Sequence, residues 1–320
     1  MFVVIASDCT PGVIIKAAQA LKDGHLVAFP TETVYGLGAD ARNEKAVNRI
    51  YSVKGRPQNH PLIVHISSVD QISNWGVEIP EYAMKLARSF WPGPITLIVK
   101  RGEFAEDFIT GGQDNVGLRV PSHPIALALI EEFEGIGGSG IAAPSANRFG
   151  AVSPTSADDV KEDLRDYLAY SDLILDDGPS SIGVESTIVD CTKYEPMILR
   201  PGAVTVEMIE SCIFRVISPY VEKNEVRAAG SFTSHYSPSA KVLLGKLTQA
   251  GDGFLAMSHI PTPKGAIRLA SPTNIEQYAQ ILYGTFRSGD RQGLRRIVVV
   301  PPEGAGLAVA IRDRLKKAAG

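Results

Sequence analysis

Lys54-Gly55-Arg56-Pro57 places two cations around a glycine at the end of a helical pattern. The pair suits a polyphosphate or a carboxylate, Lys54 as a point charge and Arg56 as a planar fork. Cations at a helix C-terminus also meet the macrodipole favourably, so both readings stand. His60 and His65 flank the start of the strand PLIVHI, where a histidine is as a rule a satisfied core residue. Arg119 interrupts the apolar run VGLRV. A buried arginine needs an anion, supplied by a protein carboxylate or by a substrate. Ala143, Ser145 and Asn147 end another strand in AAPSAN, and Glu185-Ser186 and Arg200 sit beside glycines at further strand ends. Strand ends are where α/β sheets take ligands, so these stretches would form a crowded polar pocket if they converged.

FPTETVYGLGADA, residues 29–41, matches the loose dinucleotide pattern G-x-G-x-x-[GA]. A dinucleotide loop must lie directly between strand and helix, with an acidic residue roughly 20 positions on. Here six residues separate the strand from Gly36, and residues 45–69 hold no acid. The dinucleotide reading fails on context. The polar run Thr31, Glu32, Thr33 and Tyr35 is expected to wall a pocket, with Gly36 and Gly38 turning the backbone tightly behind it. No Walker phosphate loop and no G-x-S-x-G nucleophile elbow occurs.

The elements that must position these groups alternate along the chain. Helices are expected over 10–24, 43–55, 81–90, 122–133 and 158–167, with a short one capped by Thr205. Strands are expected over 25–29, 61–66, 95–99, 116–120, 141–143, 173–176, 186–190 and 197–199. Their apolar runs mostly do not alternate, which predicts strands covered on both faces, as in α/β proteins. Periodicity fails over 218–239 and resumes from Lys241 as a smaller βαβ pattern. The expected organisation is a domain over 1–206 with a twisted, mixed open sheet, a long linker over 207–240 lying across the pocket, and a small Rossmann-like α/β domain over 241–320.

Bulk numbers bound the class. With 44% hydrophobic and 21% charged residues, the chain can bury a core and is not a disordered segment. Cys9, Cys191 and Cys212 are odd in number and far apart, which argues against a disulfide framework or a cysteine zinc site and fits a reducing cytoplasm. The N-terminus has no basic segment leading an apolar run, and nothing approaches the ~18 apolar residues of a membrane span. The six histidines are scattered, so no protein metal site is expected. Residues 1–206 hold 17 Lys and Arg against 26 Asp and Glu, whereas residues 207–320 hold 15 against 9. Two regions of opposite sign should attract one another, or divide the contacts to an anionic partner.

Taken in order, FPTETVYGLGADA, KGRPQNHPLIVHI, FWPGPITLIV, VGLRVPSHP, IAAPSANRFGAVSPT, GVESTIVD and ILRPGAVT resemble the threonylcarbamoyl-AMP synthase family, a YrdC-like domain in its long form with an added C-terminal domain. The match covers most of residues 10–206, and SHYSP extends it into the linker. Many relatives carry a basic linker loop resembling PGMKYRHY, whereas residues 229–236 here read AGSFTSHY. The resemblance implies a nucleotidyltransferase reaction: L-threonine, bicarbonate and ATP give threonylcarbamoyl-AMP and pyrophosphate, for t6A modification of tRNA. It implies Lys54 and Arg56 at the triphosphate as the catalytic cations. Thr33, His65, Arg119 and Ser186 would hold threonine. Arg56, His60, Ala143, Ser145, Asn147, Ser153, Arg200 and Tyr236 would line the nucleotide. Mg2+ is expected to arrive with ATP, and the partners are downstream tRNA-modifying transferase proteins, with weak tRNA contact through Arg291, Arg295, Arg296, Arg312, Arg314, Lys316 and Lys317. Two rival readings are an RNA-binding module, disfavoured by the acidic N-terminal region, and a hydrogenase-maturation carbamoyltransferase, whose extra zinc-finger cysteines are missing here.

Overall fold

The computed structural model describes residues 4–6, 8–217, 226–228, 236–245 and 247–320. The linker loop Ser231 to Ser234, with its non-basic composition, lies outside the described residues. An 11-stranded mixed sheet dominates the N-terminal part. Its order is Val4–Ala6, Leu173–Leu175, Val27–Phe29, Gly36–Asp40, Ile141–Ala142, Ile63–His65, Asn115–Arg119, Ile95–Arg101, Thr187–Asp190 and Met197–Arg200, with Gly76–Val77 pairing beside Ile95–Arg101. The C-terminal part carries a 4-stranded sheet, Lys241–Leu244, Arg296–Val299, Gly253–Leu255 and Ile267–Ala270, in which every pairing is parallel. Helices Ile275–Arg291 and Leu307–Ala319 accompany it, completing a Rossmann-like unit. Among the described residues no helix is long and apolar enough to cross a membrane.

Local signals account for the helices. Asn43 accepts the Ala46 amide at the start of Glu44–Lys54, and Gly55 ends it in the left-handed region at φ 62°, which costs a glycine least. Glu81–Phe90 stops where Trp91-Pro92 removes the next amide donor. The helix Pro124–Gly135 is capped by His123, which accepts the Ile125 amide, instead of by Ser122. Ser156 caps Ala157–Leu164, shorter than the polar helix expected there.

One expectation is overturned. Gly36 and Gly38 do not turn the chain; they belong to the strand Gly36–Asp40, antiparallel to Val27–Phe29. Glycine is needed there for close packing: a Cβ on Gly38 would lie 2.8 Å from Ile141 and 2.9 Å from Phe29.

The large sheet's two faces differ, because successive residues point to opposite sides. One face, through Val64, Leu97, Leu118 and Val189, packs under the helices Glu44–Lys54 and Glu81–Phe90 as the main core. At one end of the opposite face, Val27, Phe29 and Ile141 meet the helices Pro11–Lys22 and Pro124–Gly135. At the other end, Ile98, Ile188 and Leu199 are covered by Val226 and Ala228 of the linker. Arg227 fastens this piece, donating to the Asn59 and Gly111 carbonyls at 2.9 Å each while its backbone exchanges hydrogen bonds with Gln113. Between the two covered ends lies a cavity.

The opposite charges of the two regions meet at their interface. Arg287 and Arg291 of the helix Ile275–Arg291 pair with Asp159, Glu162 and Asp163, and Arg314 of the helix Leu307–Ala319 pairs with Glu185 at 2.7 Å. Arg296 binds Asp252, Lys317 binds Asp313, and Arg312 donates to the Pro302 and Gly304 carbonyls. Of the basic residues considered for nucleic-acid contact, Arg291, Arg295 and Lys316 are exposed, Arg291 while paired with Asp159 and Glu162.

Candidate functional site

The cavity encloses about 560 Å³ of atom-free space, part of it open to solvent. Its lining brings together stretches dispersed over the sequence: Thr31, Thr33 to Gly36, Arg56, Ile63, His65, Arg119, Ala143 to Ser145, Glu185, Ser186, Arg200 and Tyr236, while Glu32, expected in this wall, turns to Arg119 instead. Ile63 and His65, like Ala143 and Ser145, are two residues apart and therefore share a side. The site thus lies against the face of the sheet and not simply beyond its strand ends.

Strand register sets the neighbours. His65 stands opposite Arg119 in the parallel pair, and Gly36 bridges Ser145. Thr187 pairs with Ile95, which lets the Ser186 hydroxyl reach Thr96 Oγ1 at 2.8 Å. Thr31 shapes the loop that follows it: its hydroxyl donates to the Val34 carbonyl at 2.6 Å and lies 2.9 Å from Thr33 Oγ1.

Three guanidinium groups face the cavity. Arg119 donates through one terminal nitrogen to Glu32 Oε1 at 2.7 Å, and among the described residues its Nε has no partner. The anion that this arginine requires is therefore present in the protein, as Glu32, which also accepts the Ser122 amide. Arg200 is fastened to Ser186, through the carbonyl at 3.0 Å and the hydroxyl at 3.1 Å. Arg56 donates to the Pro61 carbonyl, and its Nε has no partner among the described residues. Burial, with the nearby Arg200, lowers Arg56 to about 10, so it stays cationic at neutral pH.

The one carboxylate in the lining among the described residues, Glu185, is already neutralised. It accepts from Ser153 at 2.6 Å, from Tyr283 at 2.9 Å and from Arg314 at 2.7 Å. Burial pushes its pKa up, but Arg314, Arg200 and the Ser153 hydroxyl outweigh that and hold it at about 2. His65 is buried, its Nδ1 has no partner among the described residues, and burial beside Arg119 lowers it to about 3, so it is neutral at physiological pH. The cavity is consequently electropositive and suited to anions.

Of the residues expected here, Thr33, Arg56, His65, Arg119, Ala143, Ser145, Ser186, Arg200 and Tyr236 line one cavity. Lys54, His60, Asn147 and Ser153 stand behind its wall. Lys54, expected at a triphosphate, is buried and directs its ammonium to the Ser145 and Asn147 carbonyls at 2.6 and 2.5 Å. Burial and Arg56 lower its pKa well below the usual lysine value. His60 packs on Phe149 with ring centroids 5.3 Å apart, and burial beside Arg56 lowers it to about 4. Asn147 donates to the Arg148 and Ala151 carbonyls.

Tyr35, whose hydroxyl donates to the Gly178 carbonyl at 2.6 Å, was legible as a wall residue. The pairing of Glu32 with Arg119, and of Glu185 with Tyr283 and Arg314, was not. The available signal was Arg314 itself, on the same helix face as Ile311, Leu315 and Ala318, where a cation must find a buried anion.

Comparison with known proteins places this geometry. Residues 19–202 match the Sua5/YciO/YrdC family model, described as telomere recombination, and residues 204–320 match the model of the threonylcarbamoyl-AMP synthase C-terminal domain. Threonylcarbamoyl-AMP synthase of Pyrococcus abyssi is 42% identical, over 95% of this chain and 93% of its own length. The Bacillus subtilis protein of that name is 39% identical, over 96% and 93%. The crystal structure of P. abyssi Sua5 complexed with L-threonine superposes with a TM-score of 0.88 at 38% identity, covering 100% of this chain and 98% of that one. With both family models matched and relatives aligned end to end, this chain belongs to the threonylcarbamoyl-AMP synthase family.

Proposed function

We propose that the cavity joins L-threonine, bicarbonate and ATP into threonylcarbamoyl-AMP with release of pyrophosphate. The observation that carries this reading is electrostatic. Arg56, Arg119 and Arg200 face one cavity whose single lining carboxylate among the described residues, Glu185, is already neutralised by Arg314. A threonine carboxylate, a carbamate and a triphosphate are the anions such a site would take. The relatives' shared name and the threonine bound to P. abyssi Sua5 support the choice.

The chemistry needs no covalent enzyme nucleophile. The neutral threonine amine forms a carbamate either with CO2, losing a proton, or with bicarbonate, losing a water. A carbamate oxygen then attacks the α-phosphorus as the bond to pyrophosphate breaks. The protein's share is alignment and charge stabilisation. Arg119, Thr33, His65 and Ser186 hold threonine, the neutral imidazole offering Nδ1. Arg56 and Arg200 stabilise the phosphates, with Ala143, Ser145 and Tyr236 along the nucleotide. Lys54, Asn147, Ser153 and His60 act through the wall they support. Mg2+ enters with ATP as part of that substrate. The product passes to tRNA-modifying transferase proteins in the cytoplasm, for t6A formation.

The test is pyrophosphate release, omitting threonine, bicarbonate and ATP in turn. Each omission should abolish it, and release that persists without threonine sinks the assignment.

A further inference from the structure

Arg314 is fully buried, lies in the last helix of the C-terminal unit, and touches three parts of the cavity's surroundings. Its Nε donates to Glu185 Oε2 at 2.7 Å, and a terminal nitrogen donates to the Pro201 carbonyl at 3.0 Å, next to Arg200. Its guanidinium lies 5.4 Å from the centroid of the Tyr236 ring. Tyr283, from the other C-terminal helix, donates to the same carboxylate at 2.9 Å and stacks on Tyr236 with centroids 5.7 Å apart and planes 25° from parallel.

Tyr236 needs such support. It adopts φ +64°, a left-handed conformation that costs a bulky residue on the order of 1–2 kcal/mol and persists only where surroundings impose it. The two units also approach too closely for independent motion at this point. A Cβ on Gly183, two residues before Glu185, would lie 2.5 Å from the Cα of Gln280.

We propose that Arg314 and Tyr283 are positioning residues for the cavity. They fix the Glu185 carboxylate and the Tyr236 ring, so that the nucleotide side of the cavity is complete only with the C-terminal unit seated. The proposal rests on the nucleotide reading given above for its functional consequence, while its structural content stands separately. Arg314 neutralises the Glu185 carboxylate beside Arg200. Tyr283 clamps the ring of Tyr236 from behind.

The test uses the full chain with Arg314→Met, Arg314→Lys and Tyr283→Phe. Pyrophosphate release is measured with ATP varied at saturating threonine, and the reverse. Hydrogen exchange is followed over residues 183–187 and 198–202. Arg314→Met should raise the KM for ATP about tenfold or more, with the threonine KM changing less than about threefold. Tyr283→Phe, which keeps the ring stack and deletes one hydroxyl, should raise the ATP KM about threefold. Arg314→Lys should recover part of the loss, since charge returns without the planar fork. Exchange over both segments should quicken in every variant.

A merely structural contact would move both KM values together or neither. Folded variants with both KM values within about twofold of wild type and unchanged exchange overturn the proposal. If Arg314→Met does not fold, the other two variants decide by the same criteria. If wild type shows no threonine-dependent release while the variants still loosen 183–202, the assigned reaction falls and the positioning role stands.

Discussion

Arg119 faces two demands, and substitution can separate them. One terminal nitrogen holds Glu32 at 2.7 Å, and its Nε has no partner among the described residues. If the remaining donors bind the threonine carboxylate, Arg119→Ala removes one or more charge-assisted bonds, ~1.5–3 kcal/mol, which is about a 10- to 150-fold rise in the threonine requirement. The same substitution leaves Glu32 buried without its cation, a loss of ~3–5 kcal/mol in stability. Stability and binding are resolved by the double variant Glu32→Gln/Arg119→Met. Removing both charges should restore most of the stability, because no unpaired charge is left inside. The threonine requirement should stay high. Steady-state pyrophosphate release at varied threonine and then varied ATP, alongside denaturant unfolding, reads both quantities. A folded double variant with a wild-type threonine KM, or with the ATP requirement raised more than the threonine one, refutes this role for Arg119.

Lys54→Met deprives the Ser145 and Asn147 carbonyls of their donor, so stability should fall by ~1–3 kcal/mol and the ATP KM should rise while that for threonine holds. A variant of unchanged stability that loses turnover alone would mean that the ammonium acts on substrate directly. His65 is held at about 3 against an ordinary 6.5, chiefly by burial, so the folded protein refuses a proton that the unfolded chain accepts. Its contribution to stability is complete above pH 6.5 and drains as pH falls towards 3, by at most ~1.4 kcal/mol per pH unit. Between pH 6.5 and 4, His65→Gln should therefore lose up to about 3 kcal/mol less than wild type in urea unfolding, and parallel pH slopes would remove the claim.

Where structure is decided locally, it was readable. Asn43 to Gly55 writes a helix with its cap, its cationic end and its left-handed stop, and Glu81 to Phe90 ends where a proline follows. Gly36–Asp40 was not readable as a strand, because two glycines weaken any β pattern and the reason for them lies elsewhere, in Phe29 and in Ile141 more than 100 residues on. The charge imbalance between the two regions was plain in the composition. Which of its two readings holds depends on where the charges land, and Arg287, Arg291 and Arg314 land on carboxylates of the N-terminal part.

The site itself was legible as parts and illegible as a whole, for a reason found in the sheet. No catalytic nucleophile announces the reaction, so each stretch is a polar residue or two beside an apolar strand, with an ordinary structural explanation. Their meaning comes from strand order, which sets Gly36–Asp40 two strands from Ile63–His65 and brings Thr187–Asp190 alongside Ile95–Arg101. Parity then selects the face: His65 and Arg119 emerge together because their strands are parallel and in register. A slip of one residue in that pairing would take Arg119 from beside His65 and put Leu118 or Val120 opposite it. The arginine's place in the cavity is thus held by the apolar alternation of Val64 and Leu118 on the other face, packed in the core. Core packing far from any ligand fixes the register, and the register makes the anion site.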